Sequence, residues 1–279
     1  METQQSDIPL DYITVKTTHS RIDRDLLAIP VSLLDLFPKK SGMIYLVRND
    51  GVMQKHRFTA RDSSTRECRI YGLRQFYSDY QIQDGDELVI QKFDNDKYRL
   101  LPESVFRQEI QKTLTLFENS LDDDSAQKHL KVTEEIANMN AEQILKNVFV
   151  KLADVEHISK RTQVKIQNVT KRESVPPALR RILQAVYDSK CQITGFSFLK
   201  RDGHPYFEIH HIDPEFGNHL KNLLVVSPNV HAQFTHANVQ QSFDNQGWLR
   251  AVKFNEEDYT VFQRIDDLQR TFQKEIHFS

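Results

Sequence analysis

The side chains best suited to acid–base and metal chemistry lie together in the last third of the chain. Imidazole titrates nearer neutral pH than any other side chain, so it can accept a proton there. In its neutral form the same ring binds divalent metal ions. Three histidines and an asparagine follow one another closely in this region: His210, His211, Asn222 and His231.

The residues around these groups predict a strand, a loop, a second strand and a helix. The first strand begins at Phe207 and ends in the two adjacent histidines, and Pro214 stops it. A polar loop then leads to the apolar run Leu223 to Val226, and a helix near Asn229 carries the last histidine. We predict that this arrangement presents all four side chains to one cavity. Alternation along the first strand predicts that Glu208 faces away from that cavity.

The segment from about Arg181 to Lys253 resembles the HNH nucleases of the ββα-metal superfamily. The resemblance rests on the order and spacing of three short motifs. These are the Cys-x-x-Thr-Gly opening at Cys191, the strand that ends in Ser-Pro at Ser227, and the His-x-x-Phe helix at His231.

This resemblance implies a role for each of the four residues. His211 would be the general base that takes a proton from the attacking water, and Asn222 would hold the loop so that this imidazole points correctly. His210 and His231 would bind a metal ion, which would neutralise the charge that develops as a phosphodiester is hydrolysed. Two imidazoles with water make a loose divalent site, with Mg²⁺ as the expected ion and Mn²⁺ or Ni²⁺ as substitutes.

Many HNH domains also hold a structural zinc ion with two Cys-x-x-Cys pairs. The four corresponding positions here are Cys191, Thr194, Ser227 and Val230. A structural zinc ion needs four protein ligands, so we predict that this protein has none.

Residues 10 to 103 are dominated by predicted strands. Their order is a first strand, an Ile29-Pro30 helix, a hairpin with an Asp-Gly turn, and a second helix followed by another strand. This order resembles the DNA-binding pseudobarrel of plant auxin-response-type transcription factors and of restriction-enzyme specificity domains. In that family two arms straddle the major groove of double-stranded DNA. The resemblance implies one arm with Arg21 and Arg24 and a second arm with Arg61, Ser63, Ser64, Thr65 and Arg66.

Between these regions, from Pro102 to about Val175, apolar residues recur at helical spacing. The predicted fold class is therefore α+β with three domains. These are a DNA-binding pseudobarrel over residues 1–103, a helical connector over 104–177 and a C-terminal ββα-metal nuclease domain over 178–279.

The bulk composition is compatible with this prediction. The net charge is −2, but DNA binding needs only a local basic face. Two cysteines are too few for a disulfide framework and indicate a reducing compartment. No apolar run has the length of a membrane span, and the amino terminus is unlike a signal peptide. We therefore expect a cytoplasmic protein without a membrane partner, and the resemblance to restriction enzymes implies a prokaryotic one.

Together these features predict a type II restriction endonuclease that hydrolyses double-stranded DNA at a specific sequence. A homodimer is expected, because each chain offers one cutting site and a double-strand break needs two cuts. Two alternatives stay open. A modification-dependent endonuclease would use the same cutting site while its first domain reads a methylated base. A catalytically inactive DNA-binding regulator would keep the fold without the chemistry.

Overall fold

The chain is organised in two compact units. The computed structural model describes residues 8–10, 12–48, 51–60, 67–154, 163–166, 169–172 and 174–277. The barrel unit comprises Asp11–Lys112 and Ile136–Asn138, and the remainder of the chain forms the histidine unit. None of the described helices is both long enough and apolar enough to span a membrane.

Strands are the main regular elements of the barrel unit, as the sequence predicts. Its elements in chain order are β1 (Thr14–Lys16), α1 (His19–Asp23), β2 (Leu26–Ile29), β3 (Gly42–Val47), β4 (Met53–Thr59), β5 (Cys68–Tyr71), α2 (Arg74–Asp79), β6 (Glu87–Asp94) and β7 (Lys97–Pro102). The strands form one sheet in the order β1-β6-β7-β3-β4-β5-β2. Its two edge strands, β1 and β2, are joined by the short helix α1, so the sheet curls into a nearly closed barrel.

An aromatic stack forms the centre of the barrel core. The ring of Phe37 stacks on Tyr98 at 4.6 Å between centroids and on Phe58 at 5.6 Å. Tyr98 is fully buried, and its hydroxyl donates to the carbonyl oxygen of Leu36 at 2.9 Å. This hydrogen bond connects β7 with the 3-10 helix Val31–Leu36. That helix lies where the sequence predicts a short helix around Pro30.

Three helices follow the barrel strands, where helical spacing predicts them: α3 (Glu103–Glu118), α4 (Asp123–Ala137) and α5 (Ala141–Ala153). The side chain of Asn140 caps α5 by accepting from the backbone N–H of Gln143 at 2.8 Å. Both α3 and α4 contribute residues to the two units.

The prediction of helix as far as Val175 is wrong for part of its length. Residues 163–172 contain an antiparallel hairpin of β8 (Gln163–Ile166) and β9 (Val169–Arg172). Apolar residues alternate with polar ones there, as at Val164 and Ile166, and this spacing of two is the period of a strand. Residues 155–162, also predicted as helix, lie outside the described part of the chain.

The rest of the histidine unit follows the predicted order of strand, loop, strand and helix. Its elements are α6 (Pro177–Tyr187), β10 (Phe198–Leu199), β11 (Pro205–Tyr206), β12 (Glu208–His211), β13 (Leu223–Val226), α7 (Pro228–His236), β14 (Val239–Phe243), β15 (Leu249–Phe254), β16 (Glu257–Thr260) and α8 (Ile265–His277). β12 pairs antiparallel with β13, and β14, β15 and β16 form a separate antiparallel sheet.

The strand β13 is anchored in a second apolar core. Leu224 packs there with Val230 of α7 and with residues of β15. The buried amide of Gln192 fixes the same strand from the other side. It accepts from the backbone N–H of Val225 at 2.8 Å and donates to the carbonyl oxygen of Phe262 at 3.0 Å. Because both ends of this buried amide are satisfied, the strand that supports the histidines is held rigidly.

Candidate functional site

The junction between β13 and α7 determines where His231 lies. All four residues of β13 are buried, and Ser227 follows at once as the cap of α7. Its hydroxyl accepts from the backbone N–H of Val230 at 3.5 Å. Pro228 occupies the first helical position, where its missing N–H has no helical partner to lose. The helix therefore starts directly after the buried strand, and His231 stands in its first turn, close to β12.

His210 lies in an aromatic cluster at the centre of the site. Its ring stacks on Phe234 at 4.1 Å between centroids and lies 5.2 Å from the ring of His231. Burial, together with the nearby charges of His231 and His211, lowers the pKa of His210 from 6.5 to about 4. The ring is therefore neutral at neutral pH and carries a nitrogen lone pair that can bind a metal ion.

The carboxylate of Glu208 holds His231 in one orientation. The Nδ1 of His231 donates to one carboxylate oxygen at 2.5 Å, and the hydroxyl of Tyr206 donates to the other at 2.9 Å. The hydrogen bond from His231, the largest cause, lowers the pKa of Glu208 below its usual value. With a proton on Nδ1, the neutral ring of His231 has its lone pair on Nε2. A carboxylate in this position is the usual support of a metal-binding histidine.

The prediction that Glu208 faces away from the site is wrong. Side chains two apart on a strand share a face, so Glu208 and His210 project to the same side of β12. His211, the next residue along β12, projects to the opposite side. Spacing relative to His210 would have identified this residue from the sequence.

His211 is oriented by a residue that the sequence analysis did not single out. Its Nε2 lies 3.0 Å from the amide oxygen of Asn218, and the amide nitrogen of Asn218 donates to the carbonyl oxygen of Ser174 at 3.0 Å. An amide oxygen can only accept, so Nε2 of His211 is the donor and the lone pair of the neutral ring lies on Nδ1.

Asn222 crosses the base of the loop that carries Asn218. Its side chain is buried, and its oxygen accepts from the backbone N–H of Asp213 at 2.8 Å. Its nitrogen donates to the carbonyl oxygens of Asp213 at 3.0 Å and Gly217 at 3.2 Å. Asn222 thus fastens both ends of the segment between His211 and Asn218.

Two imidazoles are the metal-binding groups that this arrangement offers. Within the described residues, no group of three or more His, Cys, Asp or Glu side chains is arranged to hold a metal ion. The rings of His210 and His231 are close enough for one cation to contact both, because imidazole nitrogens bind such ions at about 2.1 Å. His236, at the end of the same helix, is exposed to solvent.

The four positions compared above with zinc-binding cysteines are occupied by hydrogen-bonded and apolar side chains. The Sγ of the buried Cys191 accepts from the backbone N–H of Thr194 at 3.5 Å. Burial raises the pKa of this thiol, but hydrogen bonds from Thr194, Ile193 and Ser227 outweigh it and hold the pKa below its usual value. Val230, the fourth position, packs in the same apolar core as Cys191. Hydrogen bonds and apolar contacts within the protein therefore hold the turn around Cys191.

In the barrel unit, the first predicted arm is partly neutralised by an acidic residue. Arg21, in α1, donates to Glu67 at 3.1 Å, and Arg69 of β5 donates to the other oxygen of the same carboxylate at 3.1 Å. Arg24 follows α1 and is exposed. The second arm lies outside the described residues: Arg61, Ser63, Ser64, Thr65 and Arg66.

The strands that flank this second arm carry further basic residues on the outer face of the barrel. Along β4, Lys55 and Arg57 are exposed while His56 and Phe58 between and beside them are buried. The guanidinium of Arg57 lies 5.6 Å from the ring centre of Tyr71 on β5. This face therefore presents cations and an aromatic ring to solvent, next to the point where the arm leaves the sheet.

Comparisons with known proteins give a small number of structural similarities. A scan of protein-family profiles and a search of curated proteins give no match. Among solved structures, a hypothetical protein of Arabidopsis thaliana matches with a TM-score of 0.28 and 16% identity, over 33% of this chain and 88% of that chain. The Arabidopsis FUS3–DNA complex matches with a TM-score of 0.28 and 14% identity, over 33% of this chain and 94% of that chain. At these values the similarity says nothing about what this chain binds.

Proposed function

We propose that this protein is a restriction endonuclease of the HNH type, which hydrolyses double-stranded DNA at a specific sequence. The observation that carries the proposal is the two-sided arrangement on β12. His210 faces His231 and Glu208 on one side, while His211 is held by Asn218 on the other. Two neighbouring imidazoles with an oriented third imidazole on the same strand are groups that metal-assisted phosphodiester hydrolysis can use.

In the proposed reaction, His211 takes a proton from water at Nδ1. The water oxygen forms a bond to phosphorus, and the bond between phosphorus and the 3′ oxygen breaks. The 3′ oxygen takes a proton from solvent water, which leaves a 5′-phosphate and a 3′-hydroxyl end. Asn218 keeps the N–H of this ring on Nε2, and Asn222 keeps Asn218 in place. These two asparagines therefore determine which nitrogen of His211 meets the water.

His210 and His231 would hold a divalent cation, Mg²⁺ first and Mn²⁺ or Ni²⁺ as substitutes. The chain fits such an ion in two respects: burial keeps His210 neutral, and Glu208 holds the N–H of His231 on Nδ1. When bound, the cation supplies positive charge where negative charge develops on the phosphate. Water and phosphate oxygens would complete the coordination, because Mg²⁺ prefers oxygen ligands.

The barrel unit would select the DNA sequence. Arg24, the outer face of β4 and the second arm offer the cations that phosphate and guanine recognition require. A homodimer would place two cutting sites on a symmetric target. This activity fits a cytoplasmic, prokaryotic protein.

Cleavage of a plasmid library tests this proposal. The purified protein is incubated with the library in Mg²⁺ or in EDTA, and the DNA ends are sequenced. We expect cleavage in Mg²⁺ alone, at one short sequence. Parallel digests of methylated and unmethylated plasmid identify a modification-dependent enzyme, which would cut the methylated plasmid only. Binding without cleavage under every condition would instead indicate an inactive DNA-binding regulator.

A further inference from the structure

The hairpin of β10 and β11 exposes a group of apolar side chains. Leu199 is 68% exposed, Phe196 is 54% exposed and Phe198 is 42% exposed. The rings of Phe196 and Phe198 lie 6.0 Å apart, and Phe198 stacks on Tyr206 of β11 at 5.2 Å. We call the three exposed residues the apolar tip. Contiguous exposed apolar groups of this kind mark a surface that contacts a partner.

The apolar tip is connected directly to the candidate site. Only Phe207 separates β11 from β12 in the chain. The hydroxyl of Tyr206, which supports the ring of Phe198, donates to Glu208, and Glu208 accepts from His231. A molecule that occupies the histidine site therefore lies next to this hairpin.

The charges at the tip favour an anionic partner over a second copy of the chain. Lys200 and Arg201 follow Leu199 directly, and both are exposed. The ammonium group of Lys200 contacts Asp202 at 2.9 Å, so the turn beside the apolar tip keeps a net positive charge through Arg201. In a two-fold dimer the same patch would meet itself and bring these cations together. DNA would accept both features, because its phosphates attract cations and its base steps accept inserted phenylalanine or leucine side chains.

We propose that the apolar tip inserts against the bases of double-stranded DNA beside the phosphate that is cut. This inference rests on the proposed function and deepens it by assigning a DNA contact to the cutting unit itself. The insertion would unstack a base step and hold the strand in place relative to His211. The barrel unit would then select the sequence, and the tip would align the scissile phosphate.

Two variants of the tip test this inference, Leu199→Ser and Phe196→Ser. Each replaces an exposed side chain, and thermal melting checks that the fold is retained. The matched control is Leu121→Ser, because Leu121 is 93% exposed in the turn between α3 and α4. Gel shifts of plasmid fragments in Ca²⁺ measure binding, plasmid cleavage in Mg²⁺ measures the rate, and light scattering measures the oligomeric state.

We expect both tip variants to bind DNA about tenfold or more weakly than the control and to cut it more slowly by a similar factor. The oligomeric state should be unchanged. A mismatch placed next to the mapped cleavage position should restore most of the lost rate, because a mismatched step costs less to unstack. Binding and cleavage equal to the control would overturn the inference, and so would a change in oligomeric state. If the wild-type protein cuts no DNA, the proposed function fails. The gel shift alone then shows whether the apolar tip contacts DNA.

Discussion

The amide oxygen of Asn218 lies 3.0 Å from Nε2 of His211 and selects the tautomer of that ring. The amide nitrogen of Asn218 donates to the carbonyl oxygen of Ser174, and this hydrogen bond prevents a flip of the Asn218 amide. A general base must have its lone pair directed at the water. In the proposed reaction, Asn218, in the loop between β12 and β13, gives the ring of His211 that orientation.

Asn218→Ala should therefore slow cleavage without changing DNA affinity. The loss of one hydrogen bond, about 0.5–1.5 kcal/mol, corresponds to a rate about two- to tenfold lower. Single-turnover plasmid cleavage measures the rate, and a gel shift in Ca²⁺ measures binding. Asn229→Ala on the exposed side of α7 is the matched control. A rate equal to that of the control would mean that His211 needs no such support.

Glu208→Gln should raise the Mg²⁺ concentration needed for half-maximal cleavage. The amide keeps the shape of the side chain but removes the charge that fixes the N–H of His231 on Nδ1. Changes to such a supporting group commonly cost about 10–100-fold in metal affinity. His210→Ala and His231→Ala should shift the requirement in the same direction and further. A Mg²⁺ titration of cleavage measures all three, with His236→Ala as control, and an unchanged titration curve would remove these residues from the metal site.

The protein should contain no stoichiometric zinc after dialysis, because three of the four cysteine positions are Thr194, Ser227 and Val230. A triple variant with cysteine at those three positions should bind about one zinc ion per chain, since the turn around Cys191 already directs N–H groups at its sulfur. Elemental analysis measures both. About one tightly held zinc ion in the wild-type protein would contradict the prediction.

Glu67→Gln should strengthen the binding of DNA at low salt. Its carboxylate contacts both Arg21 and Arg69, so its loss leaves two arginines for phosphate. Each further phosphate contact steepens the dependence of log affinity on log salt by about one. Gel shifts over a salt series measure the slope. Glu87→Gln, an exposed change on β6, is the control. An unchanged slope would indicate that α1 does not lie against DNA.

Local patterns in the sequence predicted the strands and the helix of the site but not the contacts between their side chains. The apolar run of β13 and the Ser-Pro start of α7 are local signals, and the structure has both where they are predicted. The contact between Asn218 and Ser174 joins residues 44 positions apart, and the contact between Glu208 and His231 joins residues 23 apart. Such pairs depend on how the elements pack, so local patterns do not predict them. Glu208 was assigned to the wrong side although its spacing of two from His210 puts both residues on one face of β12. The hairpin of β8 and β9 was missed because its strands are short and come after a long helical stretch of the chain.

Comparison of His211→Ala with the wild-type protein shows whether His211 is the general base of a DNA endonuclease. The measurement is single-turnover cleavage of the mapped plasmid site in Mg²⁺, with specific binding followed by gel shift in Ca²⁺. We expect the rate to fall by about 10²–10⁴-fold while the affinity for the same DNA stays nearly unchanged. Cleavage by His211→Ala at the wild-type rate would contradict it.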